Sequence, residues 1–173
     1  MEMKVLFVLN NLSHTSIPYE LGVKMNSTVN VHFLIYDGLK KGRLEQVERK
    51  IHLLRGRRYN IFSKLFGILR VVREFRPDVI HTHHTLSGAS VKLLTPFCGK
   101  ARIVTTVHTD LKRLSFVQQY LAKFRVNKLH GIIFNSNETM LNARQVLRLS
   151  SNIKQCMIYN GIDAQRIHKN QES

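Results

Sequence analysis

The sequence predicts an α/β fold: a single doubly wound parallel sheet of about six to seven strands with helices on both faces. Three observations predict it. Short apolar, β-rich runs alternate about six times with longer segments of helical period. The runs are continuously apolar, as strands of a parallel sheet are when both faces are covered. With 173 residues, of which 43% are hydrophobic, the chain suits one soluble globular domain with a sizeable core.

Residues 4–9 (KVLFVL) read as a buried first strand. A helix follows over residues 17–25, with Pro18 in its first turn, where a missing N–H costs nothing. Residues 29–36 (VNVHFLIY) alternate and form a second strand, closed by Asp37-Gly38. The charged stretch 40–50 is exposed, and residues 51–54 make a short third strand. Residues 61–75 carry a helical stripe of Ile61, Phe62, Leu65, Ile68, Leu69, Val72 and Phe75, predicted to face the sheet. Pro77 disfavours helical geometry at Arg76 and stops that helix. Residues 79–82 form a strand, 87–97 a short helix broken around Pro96 and Gly99, and 103–108 (IVTTVH) another strand. Residues 114–124 are an amphipathic helix, 131–135 (GIIFN) a strand, and 136–147 a helix opened by a Ser cap. Residues 154–158 are the last strand, before an Asn160-Gly161 turn.

Several classes are excluded or disfavoured by composition. No apolar run approaches the ~18 residues needed to span a bilayer. The N-terminus is too short and too β-branched for a signal peptide, so the chain is expected in the cytoplasm. Cys98 and Cys156 are isolated, fit a reducing compartment, and read as buried small hydrophobes. Twenty-seven Lys and Arg face eleven Asp and Glu, a net charge of +16. Such an excess implies an anionic partner: nucleic acid, an anionic membrane or a phosphate-bearing substrate. No helix-turn-helix, zinc-finger or RNP-like pattern accompanies it, which weighs against nucleic acid.

In an open α/β sheet, ligands bind beyond the carboxyl ends of the strands. The segments there are polar: residues 10–16 after the first strand, 81–85 after the fourth, 108–110 after the fifth, 136–138 after the sixth and 160–163 after the last. Five of the nine histidines, His14, His81, His83, His84 and His108, lie on them. Such a convergence of polar groups at one sheet edge is what a binding cleft needs. His81 and His83 share one strand face, but no third ligand at metal spacing accompanies them, so no metal is predicted. Asp110 reads as the cap of the following turn or as a base.

Four runs in order, RPDVIHTHH at 76–84, IVTTVHTD at 103–110, GIIFNSNE at 131–138 and MIYNGID at 157–163, resemble the family 4 retaining glycosyltransferases. That resemblance covers almost the whole chain. It implies one Rossmann-like domain of a two-domain GT-B fold, the N-terminal, acceptor-side half, over residues 1–167. The polar tail 168–173 then falls at the expected interdomain linker, and the donor-binding domain is absent. It further implies a nucleotide-sugar donor held by the missing half, no cofactor, and a glycan or lipid-linked acceptor. His108 is the implied catalytic contact to the sugar or acceptor. Ser13, His14, Thr15, His83, Thr109, Asp110, Asn160 and Gly161 are the candidate substrate-binding residues. The family's Gly-Gly pair after the first strand is replaced here by Ser13-His14-Thr15-Ser16, whose side chains fill space that glycine leaves open. The paired glutamates seven residues apart, which the family carries in its donor half, are not found in this sequence.

The chain alone is therefore expected to transfer no sugar, as a truncated product or as one part of a split enzyme whose donor-binding half docks in trans. Basic residues at 55–58, Lys112, Arg113, Lys123 and Arg125 allow a peripheral position on an anionic membrane surface, at the inner face of the cell membrane. The alternatives are a nucleic-acid-binding module and a non-catalytic scaffold of the same fold.

Overall fold

The computed structural model describes residues 2–13, 16–39, 50–54 and 60–159. Seven parallel strands form one sheet: β1 (Lys4–Leu12), β2 (Asn30–Leu39), β3 (Ile51–Leu53), β4 (Val79–Thr82), β5 (Arg102–Val107), β6 (Gly131–Phe134) and β7 (Lys154–Met157). Their order is β3-β2-β1-β4-β5-β6-β7, and every pairing is parallel. The chain moves one way from β1 to β3 and the other way from β4 to β7. The strand order therefore reverses between β1 and β4, which opens a crevice at their carboxyl ends.

Among the described residues, five α-helices connect the strands: α1 (Ile17–Met25), α2 (Ile61–Phe75), α3 (Thr85–Leu93), α4 (Phe116–Lys123) and α5 (Asn137–Leu147). Local sequence explains most of their ends. The Asn60 side chain accepts from Ser63 N at the start of α2, Ser115 and Gln118 make a capping box for α4, and Ser136 caps α5. Both α2 and α5 stop at an arginine in the left-handed region, Arg76 at φ 51 and Arg148 at φ 50. The helix predicted over 87–97 instead starts at Thr85 and gives way after Leu93 to a short 3₁₀ turn, Thr95–Phe97. Pro96 is accommodated at the start of that tighter turn.

Two cores lie on opposite faces of the sheet. The larger packs Leu6, Val8, Leu34, Ile80 and Ile103 against Ile68, Val72 and Phe75 of α2, Val91 of α3 and Ala143 of α5. The smaller packs Val5, Phe7, Leu9, Val31 and Phe33 against Tyr19 of α1. Alternate residues of β1 and β2 thus serve opposite cores, which is why residues 5–9 of β1 read as an unbroken apolar run. The α2 stripe is rotated from the predicted one. Lys64, Ile68, Val71, Val72 and Phe75 are buried, whereas Phe62 is 81% and Phe66 70% exposed. Among the described residues, no helix is long and apolar enough to cross a membrane.

Candidate functional site

The site grows from the ends of β1, β4, β5 and β6. A register shift between Leu9 and Asn11 ends the regular part of β1 and re-aims the chain toward the crevice. Next to it, β4 and β5 run in register, His81 beside Val104 and Thr82 beside Thr105. Successive side chains on these strands point to opposite faces, so one sequence stretch builds two polar ladders.

On the face toward α3, the Thr82 and Thr105 hydroxyls meet at 2.6 Å, and Thr105 Oγ1 also donates to the Thr82 carbonyl at 3.3 Å. Gly88 lets α3 approach this ladder: a Cβ there would sit 3.3 Å from Thr82 Oγ1. On the face toward α1 the rungs are histidines. His81 Nε2 and Thr106 Oγ1 are 2.7 Å apart, and His83 Nδ1 and His108 Nε2 are 3.0 Å apart. The rings form a column, with centroids 5.1 Å apart for Phe7 and His81, 4.2 Å for His81 and His83, and 5.3 Å for His83 and His108.

Burial decides the charge of this column. It pushes His81 down to about 4 and His83 well below the usual histidine range, reinforced by the neighbouring imidazoles. His108 and His84 are lowered by the same cause, with the nearby Asp37 carboxylate opposing it at His84. Neutral imidazoles each carry one donor and one acceptor nitrogen, so the column is a set of hydrogen-bonding groups at pH 7. Among the described residues, His83 Nε2 is buried without a partner, and so is Asn135 Oδ1. Asn135 Nδ2 donates to the His108 carbonyl at 3.3 Å, tying the end of β6 to the end of β5.

An open cleft lies over these strand ends, lined by Asn11, Ser13, Ser16, His83, His84, His108, Thr109 and Asn135. A second, smaller cavity of about 110 Å³ extends from His84 and His108 down between β5, α3 and α4, ending among Lys92, Leu114, Ala122 and Leu129. Lys92 is 5% exposed, and its ammonium donates to the Leu121 and Ala122 carbonyls at 3.1 and 2.7 Å, satisfying the last turn of α4. Burial pushes it down to about 8.

Of the residues singled out from sequence, the fold brings His108, His83, Ser13 and Thr109 to one cleft. Asp110 is turned to another use: its carboxylate accepts from Lys112 N at 3.0 Å and caps a 3₁₀ turn, Leu111–Arg113. His14, Thr15, Asn160 and Gly161 lie outside the described residues. Asn135 lines the cleft without having been singled out, and Asn11 and Ser16 line it from the polar segment 10–16. A polar residue at the end of an apolar strand was their signal. Lys92 gave none, because in sequence it reads as one more solvated cation. Among the described residues, no group of three His, Cys, Asp or Glu side chains could hold a metal ion.

A family model described as Glycosyltransferase Family 4 matches residues 23–166. A search of curated proteins finds no match. Among solved structures, the chain is similar to HepE of Anabaena in complex with UDP and glucose, with a TM-score of 0.72 and 15% identity over 99% of this chain and 50% of that one. It is also similar to the lipopolysaccharide outer core galactosyltransferase WaaB in its apo form, with a TM-score of 0.69 and 12% identity over 93% of this chain and 46% of that one. Sucrose-phosphate synthase of Thermosynechococcus elongatus gives a TM-score of 0.65 and 12% identity over 98% of this chain and 53% of that one. The chain thus spans about half the length of these solved proteins. With its seven-stranded parallel sheet as one Rossmann-like half of a GT-B fold, the chain belongs to Glycosyltransferase Family 4.

Proposed function

We propose that this chain is the acceptor-recognition half of a glycosyltransferase that moves a sugar from a nucleotide-sugar donor to a glycan or lipid-linked acceptor. The observation that carries the reading is the convergence of Ser13, His84, His108 and Thr109 on one cleft at the point where the strand order reverses. HepE, whose fold is similar, is described in complex with UDP and glucose. Carried to this chain, the sugar would meet His108 from a second lobe facing the cleft. Neutral imidazoles and hydroxyls suit sugar hydroxyls, which both donate and accept. We assign His83, Thr109 and Ser13 to the same cleft wall, with His14, Thr15, Asn160 and Gly161 as the remaining candidates. The donor-binding lobe is supplied by further chain or in trans, and residues 1–167 constitute the acceptor-side domain.

The same reading places the domain on the cytoplasmic face of an anionic membrane. Support comes from α4. Its Phe116, Val117 and Tyr120 are 85%, 66% and 61% exposed, and Lys112, Arg113, Lys123, Arg125 and Lys128 flank them. Apolar side chains entering the headgroup region and cations meeting anionic lipid act together, at about 1 kcal/mol per cation near the surface.

Two experiments test this. Mixing the chain with a donor-binding half should restore transfer of a labelled sugar, and His108→Ala should abolish it. Absence of transfer with every donor half tried would sink the reading. Cosedimentation with phosphatidylglycerol vesicles should exceed that with phosphatidylcholine and should drop for a Phe116→Ser/Tyr120→Ser variant. Salt-sensitive binding to generic duplex DNA without lipid preference would favour the nucleic-acid alternative instead.

A further inference from the structure

The histidine column contains a feature that the proposed reading does not use. His83 is 6% exposed and lines the cleft beside His108. Its Nδ1 lies 3.0 Å from His108 Nε2, and its Nε2 is buried with no partner among the described residues. The two rings are stacked, with an interplanar angle of 17°. Burial and neighbouring imidazoles keep both rings neutral near pH 7. One neutral ring must therefore donate to the other, and only two arrangements exist.

If His108 donated from Nε2, His83 would accept at Nδ1 and carry its own proton on Nε2. That proton would be sealed beside the rings of Phe7 and His81 with no acceptor. If His83 donates from Nδ1, its buried Nε2 is a bare lone pair. Orphaned buried N–H groups are rarer than under-satisfied acceptors, so the second arrangement is favoured. His108 then accepts at Nε2 and holds its proton on Nδ1, a nitrogen that makes no hydrogen bond among the described residues.

We propose that His83 is a positioning residue that fixes the tautomer of His108, so that His108 offers the cleft a neutral N–H donor from Nδ1 and binds a substrate oxygen instead of removing a proton. Asn135 supports the arrangement from the other side by holding the His108 carbonyl at 3.3 Å. The column beneath His83 supplies rigidity: Phe7 is fully buried, and His81 is tied to Thr106 at 2.7 Å. The consequence for substrate rests on the acceptor-cleft reading, but the tautomer itself does not.

Long-range ¹H–¹⁵N correlation spectra of the ¹⁵N-histidine-labelled full chain at pH 7 read the protonated nitrogen of each ring directly. The expected result is Nδ1–H on both His83 and His108. His83→Phe keeps a ring in the column and removes the donor, so His108 should relax to a mixture of tautomers. His83→Asn places an amide N–H near the lost Nδ1–H and should restore the Nδ1–H form. A His108 protonated on Nε2 in the unmodified chain would overturn the proposal, whether or not either variant folds. So would a His108 tautomer unmoved by His83→Phe in a variant whose amide spectrum is otherwise native. Where a donor half restores transfer, His83→Phe should lower kcat by about 10- to 100-fold with little change in KM, and His83→Asn should recover most of it. Failure of transfer altogether would count against the acceptor-cleft reading and leave the spectra to decide the tautomer.

Discussion

Single residues carry two consequences that can be measured. His81 has a pKa of about 4 in the fold, against about 6.5 in an unfolded chain. Between those values the unfolded state binds a proton that the folded state refuses. The stability this confers is therefore complete above pH 6.5 and is lost as pH falls toward 4. For His81 alone the loss is about 3 kcal/mol, and His83, His84 and His108 shift in the same direction. Urea denaturation at pH 7 and at pH 4.5 should show this drop, and His81→Asn should reduce it; equal stability at both pH values would refute it. Gly22 supplies the second case. A Cβ there would stand 2.3 Å from Phe33 Cζ, and Phe33 is fully buried between Phe7 and Tyr19, at centroid distances of 5.6 and 6.4 Å. The ring has nowhere to retreat, so Gly22→Ala should cost about 1–3 kcal/mol in the same assay despite the better helix propensity of alanine. The sequence made the histidines at strand ends visible because they interrupt apolar runs. It could not show which of them would be sealed. His83 and His84 are adjacent, yet only His83 lies inside the column, because neighbours on an extended chain face opposite ways.

At the scale of elements, α2 shows where pattern reading falls short. A periodic apolar stripe identified the helix over Ile61–Phe75 with both ends in place. It misjudged the buried face, because Lys64 stands off that stripe and is nevertheless buried. Lys64 is 1% exposed and its ammonium donates to the Tyr36 carbonyl and to Asp37 Oδ1, the latter at 3.0 Å, with the Tyr36 ring 4.2 Å away. A buried cation at the carboxyl end of β2 thus takes a position that periodicity assigns to an aliphatic residue, and Phe62 and Phe66 are turned outward. Lys64→Met preserves the stem and removes the charge, leaving Asp37 and the Tyr36 carbonyl without their donor. Loss of about 2–4 kcal/mol is expected, the upper end being limited because Asp37 keeps some contact with water. A variant as stable as the parent would show that the pair contributes nothing. By contrast, the helix expected over 114–124 starts at Phe116, where Ser115 and Gln118 form a capping box, and it buries no residue of its own. Its attachment through Lys92 to the carbonyls of Leu121 and Ala122 was invisible, since it depends on a neighbouring helix.

For the whole molecule, the parallel sheet was legible because unbroken apolar runs alternating with helical segments admit few other architectures. Strand order was not, since nothing local states that β1 lies between β2 and β4. That central position has a kinetic consequence. Lys4 N donates to Asp78 Oδ2 at 2.8 Å and Asp78 N to the Lys4 carbonyl at 2.9 Å, a closure across 74 positions of chain. During synthesis β1 keeps one bare flank until β4 has emerged. Loop-closure entropy must be met before this pairing contributes, so renaturation from denaturant should take milliseconds to seconds or longer, not microseconds. During that delay β1, apolar without a break from Val5 to Leu9, can find the β1 of another chain. Recovery of native chain after rapid dilution should therefore fall as protein concentration rises, and a yield independent of concentration would show that β1 is shielded earlier than its topology implies.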